Sequence, residues 1–474
     1  MDRMNPLDAS FLHIEDGTTH MHIASCSVFE GPPPAFDEVT RRYNNKLPLV
    51  PRYRQRVRFV PFDLGRPVWV DDPHFELGYH LRHTALPTPG GAAALHTLMG
   101  RLMSQELDRN RPLWETWMVE GLEDDRWALI SKVHHCMVDG VAGTDLMSVV
   151  LDTERDAGTV DVGPWDPAPE PSDVTLATTA VTELLRSPYE QYRALRSGTR
   201  APRDLGRRLG DVVAGLRAYG RELRPPPASS LEGPIGPHRR WEPARTTLDE
   251  IRTVRRALGG TVNDVVLTAI SHGFAELVRS RGEDPTTVEL RSLIPVSLRA
   301  PDARGVLDNR VTALVLHLPI GVDDPVERLD EVRRRMEELK TSHEADAGGA
   351  IVGVADITPA ALVGPAMRLA TRAMHRTPQW LINTVTTNVP GPPEPLYLAG
   401  REMLEYLPFV PIGPGIRTGV AILSYNGRIA FGVTGDWDAA PDIDVLARGI
   451  EAGMATLLER AGAAATTGEP AVSS

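Results

Sequence analysis

The sequence predicts a mixed α/β protein with two core-bearing halves, and three observations carry that expectation. Runs of β-forming residues at strand length alternate with apolar residues at helical spacing in both halves. A segment rich in proline and then arginine interrupts the pattern near the middle. The length, 474 residues, exceeds what one hydrophobic core usually serves, so two domains are expected.

In order along the chain, Met21 to Phe29 (MHIASCSVF) and Trp127 to His134 (WALISKVH) read as strands. Between them, Leu95, Leu98, Leu102, Met103 and Leu107 repeat at helical spacing, and VAGTDLMSVVLD after Gly140 repeats the pattern. Gly163 to Pro171 (GPWDPAPEP) cannot continue a helix or a central strand. From Arg186 to Arg224 ten arginines face four acids, which reads either as a solvated helical connector or as a surface for anionic head groups. The second half opens near Trp241. Thr261-Val-Asn-Asp starts a helix whose face carries Val262, Val265, Val266, Ala269, Ile270 and Phe274. Strands are expected at Val288–Val296, Thr312–Leu318, Gly419–Ser424 and Arg428–Thr434, and a disordered tail after Ala461. The predicted division is therefore 1–160, a connector at 161–240, 241–460, and a tail at 461–474.

Composition removes several functional classes. A net charge of -12 argues against a nucleic-acid coat, because phosphate neutralisation needs a basic face. Two cysteines, Cys26 and Cys136, leave no disulfide scaffold and no cysteine-rich zinc site, and a reducing cytoplasmic compartment is expected. The start of the chain shows no secretory signal. Gly348 to Met367 is the most apolar stretch, yet Asp356 and two prolines make it a poor bilayer span. It reads equally as two buried segments or as the wall of a lipid site.

The sharpest chemical signal is His134-His135-Cys136-Met137-Val138-Asp139-Gly140, at the end of a strand and the start of a helix. A strand end delivers an imidazole to the edge of a sheet, and glycine lets the backbone turn. Neutral histidine accepts a proton near neutral pH. His134 and His135 point to opposite faces, so one is expected to be structural. Adjacent histidines rarely reach one metal ion, so no metal site is expected. Cys136 as nucleophile is disfavoured because neighbours along a strand point apart. His20 and His22, on one strand face, are read as ordinary core or surface residues.

The HHxxxDG pattern resembles the signature of the coenzyme A-dependent acyltransferase superfamily. Pro6-Leu7-Asp8-Ala9 with Phe11-Leu12, Arg111-Pro112-Leu113-Trp114-Glu115, Asn263-Asp264, Pro295-Val296-Ser297, Asp308-Asn309-Arg310 and Asn388-Val389-Pro390-Gly391-Pro392 follow in order, and Ser424-Tyr425-Asn426-Gly427 lies near the end. Together they resemble the bacterial wax ester synthase/diacylglycerol acyltransferase family, from Pro6 to about Leu458. Asp308 departs from the glycine common there, which touches only the local turn.

The resemblance implies two chloramphenicol-acetyltransferase-like α/β domains with a catalytic channel between them. It implies His135 as general base, with His134, Asp139 and Gly140 supporting the motif and Arg299 as a partner for Asp139. Acyl-CoA would be co-substrate, with no permanently bound cofactor, and diacylglycerol the acceptor. A fatty alcohol acceptor and a non-catalytic lipid-body carrier are the alternatives. Peripheral contact with a membrane or lipid droplet is expected. Asn263, Asp264 and Trp114 are the substrate-binding candidates. Each has a competing reading: Asp264 as the third residue of a capping box, Trp114 as a packing residue, Asn263 evenly balanced.

Overall fold

The computed structural model describes residues 2–138, 146–158, 165–182, 229–297, 311–341 and 382–467. Three sheets organise them. The first runs β12 (Tyr397–Leu398), β13 (Arg401–Phe409), β2 (His22–Phe29), β7 (Trp127–His134), β6 (Trp114–Glu120) and β5 (Leu81–Ala85). The second runs β10 (Val311–Leu318), β9 (Leu290–Ser297), β11 (Thr384–Pro390), β14 (Thr418–Tyr425), β15 (Arg428–Asp436) and β8 (Arg239–Thr247). A small sheet joins β1 (Asp2–Arg3), β4 (Val68–Asp71) and β3 (Gln55–Arg58). The α/β expectation holds, and the strands read from the sequence lie within a few residues of those observed.

Strand β7 is buried at every position, as befits a strand covered on both faces. That burial extends to Lys132, 1% exposed, whose ammonium is satisfied locally. It donates to the carbonyls of Leu102 (3.1 Å) and Gln105 (2.8 Å), at and just beyond the C-terminus of the helix Ala92–Met103. In the second half, the helix Val262–Ser280 and the C-terminal helix Ile443–Thr467 pack over the sheet on an apolar core that includes Val266, Ile270, Phe274, Leu446 and Ile450. Glycines let these helices close up: a Cβ on Gly273 would lie 2.8 Å from the Leu446 carbonyl oxygen.

The chain does not divide in sequence order. Strands β12 and β13 come from the second half yet sit in the first sheet, with β13 antiparallel to β2 from Met403↔Phe29 to Phe409↔Ala24. Strand β13, which lies within 241–460, thus pairs with the sheet of the first half, a partnership that periodicity cannot reveal. Residues 173–182 are helical, and Leu176 and Ala180 pack with Val60, Val68 and Val70 of the first half, while β8 already begins at Arg239. The last helix runs past Ala461 to Thr467, because its alanine-rich end is a good helix former, so the tail expected from there to be disordered starts helical. The arginine-rich stretch 186–224, Gly348–Met367, Arg299 and Asp308–Arg310 lie outside the described residues, as do Asp139 and Gly140. Among the described residues no helix is long and apolar enough to cross a membrane.

Candidate active site

Strand β7 ends at His134, and His135–Met137 form a single 3-10 turn. The two histidines meet different partners. His134 is fully buried; its Nδ1 accepts the backbone N–H of Cys136 (3.2 Å), and its Nε2 lies 3.4 Å from Glu15 Oε2. An Nδ1 that accepts requires the proton on Nε2, so the Glu15 carboxylate selects this tautomer.

His135 is held by backbone and by a ring. Its N–H donates to the Met21 carbonyl (2.8 Å), and its imidazole stacks on Phe11 with centroids 4.0 Å apart at 24°. Nδ1 is buried without a well-formed hydrogen bond among the described residues. Burial pushes the imidazole pKa down to about 4, with His134 adding to the effect and the residue's own backbone carbonyl opposing it. At neutral pH the ring is therefore uncharged and able to accept a proton. This is the chemical state that a general base requires.

Glu15 is the residue the sequence reading missed. Its side chain, 6% exposed, accepts from Arg109 Nη2 (2.7 Å) and Nε (3.2 Å) and from the Met21 backbone N–H (3.1 Å). Burial acts to raise its pKa and is outweighed by His134 and Arg109, leaving it at about 2. Arg109 also donates to the Leu12 carbonyl (3.2 Å). One carboxylate thus ties together His134, the Met21 peptide that receives the His135 N–H, and the helix Pro6–Ile14 that supplies Phe11. A single Glu in HIEDG carries no periodicity, so the sequence holds no local signal for it.

Cys136 is buried and its thiol is pushed well above the ordinary range, first by burial and then by Asp8 and Glu15. A protonated, enclosed thiol is a poor nucleophile. His20 and His22 stack at 5.7 Å and each contacts a backbone carbonyl, of Pro237 (3.2 Å) and Met103 (3.0 Å) respectively.

Two of the three substrate-binding candidates have partners within the fold. Trp114 is 1% exposed, donates from Nε1 to the Tyr53 carbonyl (2.8 Å) and stacks on His80 at 4.8 Å; its polar atom is spent inside the core. Asp264 closes a capping box: Oδ2 accepts from the Thr261 N–H (2.7 Å) and hydroxyl (2.8 Å), and Thr261 Oγ1 accepts the Asp264 N–H (3.2 Å). In each, a polar atom is engaged within the fold, Trp114 Nε1 by the Tyr53 carbonyl and Asp264 Oδ2 by Thr261, which favours the packing and capping readings.

Asn263, half-buried one residue before Asp264, accepts from Asn388 Nδ2 at 3.3 Å, so two motifs distant in sequence meet. Ser424 Oγ accepts the Gly391 N–H (3.2 Å), while the Tyr425 hydroxyl donates to the Met403 carbonyl and accepts the Leu396 N–H, both at 2.8 Å. The SYNG segment therefore holds the NVPGP segment and the crossover strand in place. Where β13 parts from the β14–β15 hairpin lies a cavity of about 370 Å³, lined by Tyr406, Leu407, Leu423, Ile429 and Arg428 among others.

Comparisons with known proteins agree with this arrangement. Residues 4–266 match the wax ester synthase/diacylglycerol acyltransferase catalytic domain, and 307–457 the C-terminal domain of the same family. A protein of Mycobacterium tuberculosis (strain ATCC 25618 / H37Rv), named a probable diacylglycerol O-acyltransferase, is 36% identical over 472 residues, covering 97% of this chain and 96% of its own. The solved wax ester synthase/diacylglycerol acyltransferase from Marinobacter aquaeolei VT8 superposes with a TM-score of 0.70 at 26% identity, covering 98% of this chain and all of that one. The first condensation domain of the calcium-dependent antibiotic synthetase, at 16% identity and a TM-score of 0.57, shares the fold. The chain belongs to the wax ester synthase/diacylglycerol acyltransferase family.

Proposed function

We propose that the protein transfers the acyl group of a long-chain acyl-CoA to the free hydroxyl of diacylglycerol, yielding triacylglycerol and coenzyme A, with His135 as the base. The observation that carries this reading is the buried, uncharged imidazole of His135 at the end of β7, steadied by Phe11 and by the Met21 carbonyl. Nδ1 is buried, so this reading assigns proton acceptance to Nε2.

The chemistry then balances within one encounter. Nε2 takes the hydroxyl proton as the oxygen attacks the thioester carbon, and a tetrahedral oxyanion forms. Its collapse breaks the C–S bond, and the imidazolium returns the proton to the departing thiolate. No acyl-enzyme is required, in keeping with a Cys136 thiol that stays protonated. Asn263, at the N-terminus of the helix Val262–Ser280 with Asn388 beside it, is a polar contact suited to substrate or oxyanion; a donor so placed is worth roughly 2.7–4 kcal/mol. Asp139 and Gly140 complete the HHxxxDG motif. The acceptor's solubility implies peripheral contact with a membrane or lipid droplet.

A fatty alcohol presents the same nucleophile, and the Marinobacter relative is named for both activities. The test is thiol release from palmitoyl-CoA by the full chain, offered dioleoylglycerol or hexadecanol in parallel, with His135→Ala as control. Release that requires diacylglycerol and falls by roughly 10²–10⁴ in the variant is expected. Release with hexadecanol alone would make it a wax ester synthase. Acyl-CoA binding without release under either acceptor would make it a carrier.

A further inference from the structure

Diacylglycerol resides in bilayers and oil phases, and among the described residues no helix crosses a membrane. An enzyme using that acceptor must bring one face to a lipid surface. The face around the small sheet carries several exposed apolar side chains. In the loop between β3 and β4, Phe62 is 92% exposed and Phe59 37%. Phe62 also sits in the left-handed region, at φ 59°, where bulky side chains are rare.

The loop is not adrift. Val60 and Leu64 join Val68 and Val70 in a cluster closed by Leu176 and Ala180 of the helical residues 173–182. A Cβ on Gly65 would stand 3.3 Å from that of Ala180, so loop and helix form one surface. Val174 and Val181 face outward, 72% and 40% exposed, and residues 174–182 (VTLATTAVT) carry no charge. The threonine hydroxyls turn into their own helix: Thr178 donates to the Val174 carbonyl (2.7 Å), Thr179 to Thr175 (2.8 Å) and Thr182 to Thr178 (2.7 Å). Polar groups satisfied in this way lower the cost of leaving water.

This surface leads to the site. The Met4 N–H donates to the Pro67 carbonyl (2.9 Å) and Arg66 to the Met4 carbonyl (3.0 Å) at the loop's end. The helix Pro6–Ile14 starts just beyond, with Leu7 46% exposed and Phe11, one turn on, stacked against His135.

We propose that the 59–66 loop and the 173–182 helix form a lipid-docking surface, with Phe62 and Phe59 entering an uncharged, diacylglycerol-bearing interface. The proposal rests on the acceptor reading above. An uncharged partner is favoured because the flanking arginines are already paired: Arg56 with Glu170 (2.7 Å), and Arg58 with Glu170 (3.2 Å) and Asp173 (2.6 Å).

The test is flotation of the full chain with phosphatidylcholine vesicles containing diacylglycerol, at low and high salt. Phe62→Asn suits the left-handed backbone and removes the ring without disturbing a core. Its partition coefficient is expected to fall about tenfold at both salt concentrations, while Phe62→Trp retains binding. Turnover on vesicle diacylglycerol should fall in parallel, with turnover on dissolved dibutyrylglycerol unchanged. Undiminished flotation of Phe62→Asn, or parent binding abolished by salt, overturns the proposal. If flotation depends on Phe62 but neither glycerolipid is acylated, the docking surface stands and the acceptor reading fails.

Discussion

Histidines 134 and 135 are adjacent in sequence and opposite in chemistry, and the difference comes from what each nitrogen meets. Glu15 makes the distinction, and removing its charge should be costly in a particular way. Glu15→Gln keeps an acceptor for the Met21 N–H but leaves Arg109 and His134 without their anion. We expect kcat to fall about tenfold or more with KM for acyl-CoA little changed, because the variant misplaces a base without touching the substrate. Stability should drop by about 1–3 kcal/mol, the half-exposed Arg109 recovering water. Steady-state kinetics beside urea unfolding checks both; a change in KM alone would mean that Glu15 meets substrate. The pH dependence follows from the same residues. A folded pKa of about 4 for His135, below the ordinary 6.5, means that protonation opposes folding, so its stability contribution is present above pH 6.5 and lost as pH falls toward 4. The acid limb of kcat/KM should accordingly sit near pH 4 to 5. A limb at 6.5 would mean that another group is the base. The HHxxxDG motif was legible because chemistry needs those residue types at that spacing. Glu15 was not, because a long-range buried contact leaves no local pattern.

Elements carry the next level of assignment. The helix Val262–Ser280 begins with Thr261, Asn263 and Asp264 in three different roles, and the sequence left two of them open because a cap and a ligand use the same residue types. In the structure, Asp264 is committed to Thr261 through three hydrogen bonds. Asp264→Ala should therefore lower stability by about 1–2 kcal/mol through the lost cap. Acyl-CoA affinity at a permissive temperature should be retained. Thermal melting and acyl-CoA titration separate the two roles: loss of affinity without loss of stability would return Asp264 to the binding site. Asn263→Ala should show the reverse, a loss of turnover with little change in melting. Strand limits were readable to within a few residues at β2, β7 and β14, where apolar and β-branched runs are flanked by turn signals. Trp114 was ambiguous for another reason: indole suits a core and a channel wall equally, and only its Nε1 partner, the Tyr53 carbonyl, decides between them.

At the scale of the molecule, the crossover strand decides how the halves behave. Composition and periodicity read along the chain, so they divide it in chain order and cannot show that β13 pairs with β2. Other contacts tie the halves together: Trp241 Nε1 donates to the Pro408 carbonyl of β13 (3.0 Å), and Arg239 N–H to Ser104 Oγ after the helix Ala92–Met103 (2.8 Å). The approach between β13 and β15 is close enough to require glycine. A Cβ on Gly432 would fall 1.7 Å from the Pro408 carbonyl oxygen, an overlap that only backbone movement relieves. Its effect is purely steric, since Gly432 is not among the glycines with positive φ. Gly432→Ala must then push the crossover strand away from the second sheet, straining one element that belongs to both halves. Overpacking of this kind typically costs about 1–3 kcal/mol. If the halves unfold together, circular dichroism and tryptophan fluorescence in urea should trace one coincident transition in the parent, and the variant should shift it as a whole. Thiol release should fall as well, because β13 pairs along β2, whose first residue, His22, lies opposite His134. Two separated transitions, with only one displaced by the substitution, would instead describe two domains that happen to touch.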